Sequence, residues 1–185
     1  MVEGESEKIV LKQLKTAIIE NRKISLCKEC NNKFSNICKG TISDKKITEF
    51  INSKCPCKKI VIMDQDEIPD KKIKEYKKLS NNDLLIIISI PNIEIVLLSI
   101  FENIGTTLHK HEIEKKLKQY FQIKFGNFEY KHGSSDSTNK ILNYLIENKY
   151  FETWKENLNK LNELGLSNFI ELINFLEETK ESNNK

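Results

Sequence analysis

Glycine and proline are scarce in this chain, 6 and 3 of 185 residues. The glycine-rich loops that cradle phosphates are missing with them. Neither G-x-x-x-x-G-K-[ST] nor G-x-G-x-x-G occurs, which excludes the P-loop NTPases and the dinucleotide-binding folds. No Ser-His-Asp arrangement is present. No charge of one sign dominates: 30 Lys+Arg face 27 Asp+Glu, a net charge of +3. That balance does not define a nucleic-acid partner, and it does not oppose one. An unbroken membrane-length apolar run is also lacking. The longest candidate, Leu84 to Phe101, carries Pro91, Asn92 and Glu94 in its middle, and a central carboxylate costs about 2.5–3.5 kcal/mol on insertion scales. With "MVEGESEK" leading straight into the first motif, no secretory leader is expected. The expectation is a soluble, cytoplasmic protein with no membrane partner.

Cysteine is absent after residue 57. All 5 cysteines (Cys27, Cys30, Cys38, Cys55 and Cys57) fall in one early segment, which in a cytosolic protein points to metal or redox chemistry before disulfides. "CKEC" has metal-knuckle spacing and "CPC" a less common one. Together Cys27, Cys30, Cys55 and Cys57 form a candidate structural Zn²⁺ site, with Cys38 spare. The alternative is a set of reduced thiols in a lysine-rich surface. Lys58 and Lys59 belong to that lysine cluster and are candidate contacts to a phosphate backbone.

What is present in abundance is pattern. Apolar spacing predicts a helix over residues 5–20, a short strand over 23–26 and a helix in "KKITEFINS". β-Branched runs predict buried strands at 59–63 and 84–89. Helices are expected in "IPDKKIKEYKKLS", with Pro69 in its first turn, over 92–103, and in "KHEIEKKLKQYF". A loop or short strand should follow over 123–137. Two or three helices should then occupy 138–179, before a frayed tail at 180–185. No internal repeat is present. Alternating strands and helices imply an α/β fold with a mostly parallel sheet flanked by helices. The expected organisation is a catalytic domain over 1–135 that includes a Cys/Lys-rich insertion at 27–57, with C-terminal helices over 136–179.

Acidic residues stand where such folds place function. Glu3 and Glu7 open the first helix. Asp64 and Asp66 follow the first buried strand, and Glu94 follows the next. Ligands of open parallel sheets bind beyond the carboxyl ends of the strands, so these positions can converge. Oxygen-only ligands in that number suit Mg²⁺ or Mn²⁺ better than zinc. Each group also has a plainer explanation. Acids at a helix start satisfy the macrodipole, D-x-D at a strand end makes a turn, and Glu94 serves as a first-turn acid. His109 and His111 are expected to be solvated; His132, beside Lys131, is the histidine to watch.

"EGESE" followed by "IVIMDQD" resembles the Toprim domain shared by topoisomerases, primases and several nucleases. With "SIPNIEIVLLSIF" added, the pattern is most similar to the RloB-like family of small stand-alone Toprim proteins from bacterial and archaeal defence neighbourhoods, in the OLD-type nuclease branch. The resemblance covers Met1 to about Lys131. It implies that Glu3, Asp64 and Asp66 are the core metal-binding carboxylates, with Glu3 also a candidate general acid or base. Glu7 and Glu94 would be the additional acids of the nuclease branch, and Lys131 the later basic residue. The implied activity is metal-dependent hydrolysis of DNA or RNA in defence against phage or mobile elements, with a companion protein from the same system as a possible partner. A second reading is a degenerate Toprim domain that binds nucleic acid or a partner without cutting; a third is a small zinc-stabilised adaptor. Oligomeric state is left open.

Overall fold

The two β-branched runs form the strands expected of them. In a computed structural model, which describes residues 5–18, 44–52, 59–65, 69–80 and 84–182, β1 (Lys59–Asp64) and β2 (Leu84–Ser89) pair in parallel. The register sets Ile62 against Ile87 and Asp64 against Ser89. β2 is buried on both faces, as a strand covered by helices on either side must be.

The two faces of the sheet build two apolar layers. Ile62 and Ile87 join the larger core, which takes in Ile9, Val10 and Leu14 from helix α1 (Glu5–Ile18). Val61, Met63, Ile86 and Ile88 face the other way. They pack with Phe50 of α2 (Asp44–Ile51) and with Ile73 and Tyr76 of α3 (Asp70–Leu79). In α3 those two inward residues are spaced i, i+3, while Lys71, Lys74, Lys77 and Lys78 are exposed. Lys77 and Lys78 occupy its last turn, where cations suit the helix dipole. The architecture is α/β, with helices on both faces of a two-stranded parallel sheet among the described residues.

After β2 comes the short helix α4 (Glu94–Leu98), all of it buried. A longer helix, over 92–103, is expected from the apolar period, and packing explains why it stops early. The Trp154 indole donates to the Val96 carbonyl (3.2 Å) and to Ser99 Oγ (3.0 Å), and Asn157 Nδ2 donates to the Ser99 carbonyl (2.8 Å). Tertiary donors thus occupy oxygens that continued helix would pair with its own amides. Helix α5 (Lys110–Phe125) runs beyond its expected end at Phe121, and α6 (Ser135–Glu147), α7 (Phe151–Glu163) and α8 (Phe169–Ser182) complete the chain.

These last helices are integral to the main core. Ile141, Leu145, Trp154, Leu158, Phe169 and Ile173 share one cluster with α1 and the sheet. α1 packs on α6, where Gln13 Nε2 donates to Asn139 Oδ1 at 2.9 Å. The segment before α8 also finishes the free edge of β2. Asn168 imitates a neighbouring strand: its Oδ1 accepts from the Ile88 amide (2.8 Å) and its Nδ2 donates to the Ile86 carbonyl (2.8 Å). The Ile90 amide donates to the Leu166 carbonyl at 2.8 Å. An edge that would otherwise present unpaired backbone groups is closed.

Candidate active site at the carboxyl edge of the sheet

Because Asp64 pairs in register with Ser89, both strands end at one level. The Gln65 amide then divides its hydrogen bond between the Ser89 carbonyl (3.0 Å) and the Pro91 carbonyl (3.1 Å). The connections leaving β1 and β2 are therefore fastened side by side at the carboxyl edge, the usual ligand position of such sheets. The Asp64 side chain is half-buried, and its Oδ1 is cut off from solvent. Gln65 Nε2 donates to Asp70 Oδ1 at 2.7 Å. Gln65 Oε1 and Asn92 Oδ1 are also buried, and no described residue donates to either.

Glu94 follows Asn92 by two residues and has a different environment. Its side chain is only 4% exposed, and Oε1 lies 2.8 Å from Nδ1 of His132, which is 44% exposed. Burial pushes the Glu94 carboxyl above its ordinary range; His132, the Glu94 and Gly133 backbone N–H groups and Lys110 act against that rise. Gly133 takes φ +66°, a conformation that side-chain-bearing residues rarely adopt, at the turn that brings its amide to Glu94. A carboxylate opposite Nδ1 places the ring proton there and leaves Nε2 as the second nitrogen. The neighbouring Tyr130 phenol is held well above its ordinary range by burial and by the charges of Glu94 and Glu114. Lys131 is exposed, and its backbone amide donates to Ser137 Oγ at 3.0 Å.

Of the residues singled out in the sequence, Asp64 and Glu94 reach the same edge on consecutive strand-to-helix connections. His132 comes to that edge through the Glu94 contact, and Lys131 is its chain neighbour. Glu7 is buried, 3% exposed, in the first turn of α1. Lys59 starts β1 and Asp64 ends it, so five residue steps of about 3.3 Å separate it from that carboxylate. Lys59 belongs to the opposite end of the sheet. Glu3, Asp66, Lys58, Cys27, Cys30, Cys38, Cys55 and Cys57 lie outside the described residues, as does the strand expected at 23–26. Among the described residues no group of three or more His, Cys, Asp or Glu side chains is arranged to hold a metal. His109 and His111 are exposed, and His109 caps α5 in a reciprocal capping box with Glu112.

The Glu94–His132 pair joins residues 38 positions apart, and nothing in the spacing announces it. Asn92 and Gln65 give no signal beyond being polar inside apolar surroundings. Gln65 Oε1 and Asn92 Oδ1 receive no hydrogen bond from a described residue, and buried acceptors so placed call for a water, an ion or a ligand. No helix among the described residues is long and apolar enough to cross a membrane. No protein-family model, curated protein or solved structure matches the chain.

Proposed function

We propose that this protein is a metal-dependent nuclease that hydrolyses phosphodiester bonds of DNA or RNA in a Toprim-like arrangement, in defence against phage or mobile elements. One observation carries the reading: Asp64 ends β1 at the carboxyl edge of a parallel sheet, and its neighbour Gln65 is hydrogen-bonded to the connection that leads to Glu94. Asp64, with Glu3, Glu7 and Asp66, is the proposed cation-binding set. Mg²⁺ or Mn²⁺, when bound there, would polarise the scissile phosphate and make the attacking water more acidic. The chain's own part is to hold the phosphate against this edge and to neutralise charge. Lys131 offers its ammonium to the phosphoryl oxygens as the P–O ester bond breaks and the water oxygen bonds to phosphorus. Glu3 is the proposed acceptor of the water proton. Glu94 has Oε1 engaged by His132, so in this reading it is an additional acid beside the metal set, with its other oxygen the one to offer. Cys27, Cys30, Cys55 and Cys57 are proposed to hold a structural Zn²⁺, and a companion protein from the same defence system is the proposed partner.

The test is cleavage of labelled single- and double-stranded DNA and RNA with Mg²⁺, Mn²⁺ or EDTA, comparing wild type with Asp64→Ala. Metal-dependent cleavage that disappears in the variant is the expected result. The engagement of Glu94 by protein donors favours one second reading, a module that binds nucleic acid without cutting. Retained binding in EDTA, with no cleavage of any substrate, is the result that would select it.

A further inference from the structure

The geometry points to a divalent cation bound in part by two neutral oxygens, Gln65 Oε1 and Asn92 Oδ1, beside Asp64. This assignment rests on the metal-dependent reading of Asp64 and adds the ligands that complete it. Asn92 is 1% exposed, yet its side-chain oxygen receives no hydrogen bond from any described residue. Gln65 Oε1 is in the same condition, and its identity as the oxygen follows from the other amide atom, Nε2, which donates to Asp70 Oδ1 at 2.7 Å. Buried acceptors are seldom left so in folded proteins, and those that are call for a water, an ion or a ligand.

Three features select a cation. Both groups are acceptors, so an anion such as phosphate would meet only repulsion from them. They lie on backbone joined by the Gln65 amide, whose 3.1 Å bond to the Pro91 carbonyl ends one residue before Asn92. The adjoining Asp64 supplies negative charge, with its Oδ1 turned away from solvent. Amide carbonyls combined with a carboxylate are the ligand chemistry of oxygen-preferring divalent ions. The fold also satisfies a buried oxygen nearby when donors exist, as the Glu94 carboxylate shows with His132 and two backbone amides.

Binding of Mn²⁺ to the metal-free full chain, followed by loss of the free-ion electron paramagnetic resonance signal, reads the site without reference to activity. Asn92→Leu and Gln65→Met remove each oxygen at nearly constant shape, and each is expected to weaken binding about 10-fold or more. Asn92→Asp should bind Mn²⁺ more tightly and show a larger rise in Tm on adding it, from a lower metal-free Tm; this variant and Gln65→Met carry the test if Asn92→Leu does not fold. Wild-type affinity in both oxygen-deleting variants, with binding lost in Asp64→Asn, would overturn the assignment while sparing the Asp64 reading. In that case the two oxygens hold only water. No Mn²⁺ binding by wild type, or binding that none of these changes alters, would overturn both.

Discussion

Two oxygen-bearing regions lie at the same end of the sheet and are treated in opposite ways. Around Glu94 the fold supplies His132, the Gly133 amide and the residue's own amide. Around Gln65 and Asn92 no described residue supplies a donor. The first region is closed on itself, so its groups stabilise the fold. The second keeps buried acceptors to which no described residue donates, and such groups call for a water, an ion or a ligand.

Five substitutions break or sharpen this contrast. The largest effect belongs to Asp64→Asn, which should reduce the proposed metal-dependent cleavage roughly 10³-fold, about 4 kcal/mol of barrier; steady-state rates together with a circular dichroism spectrum check this. Next is Asn168→Ala, which disturbs both regions through β2. It leaves the Ile86 carbonyl and the Ile88 amide without their side-chain partners. At about 1–3 kcal/mol for each buried group, the loss measured by urea unfolding should be about 2–4 kcal/mol.

A pair of truncations tests the contrast directly. Glu94→Ala removes the acceptor for His132 and Gly133 and should lower stability by about 1–3 kcal/mol. Asn92→Ala orphans no described donor and should lower metal-free stability by less. Equal losses in metal-free buffer would erase the distinction between the two regions. The smallest effect is on pH dependence. The Glu94 carboxyl is raised above its ordinary 4.5, so its contribution to stability is full below that pH. As pH rises from there the unfolded chain releases the proton first, and the contribution declines until pH passes the folded value. Glu94→Gln should flatten this part of the pH profile of the urea midpoint.

Much of the frame was legible in the residues. The runs at 59–63 and 84–89 are rich in β-branched residues and bounded by polar ones, and both are strands, the first running one residue further to Asp64. Ile73 and Tyr76 mark the inner face of α3 as their spacing predicts. The end of α4 was not legible, because Trp154 and Asn157 decide it from 55 or more residues away. Asp64 was conspicuous as an acid at a strand end. Asn92 was not, since an asparagine beside a proline reads as turn chemistry until its burial is known.

Local chemistry, then, was enough to determine the α/β class, the strand positions and the placement of Asp64 at the end of one strand and Glu94 after the next. Periodicity and β-branching act over a few residues, and a sequence records them directly. Only the tertiary structure decided that Asn168 would close the edge of β2, that His132 would take the Glu94 carboxylate, and that the Gln65 and Asn92 side-chain oxygens would be buried. Those outcomes depend on which distant groups share a desolvated space, where a donor is worth most and its absence weighs most.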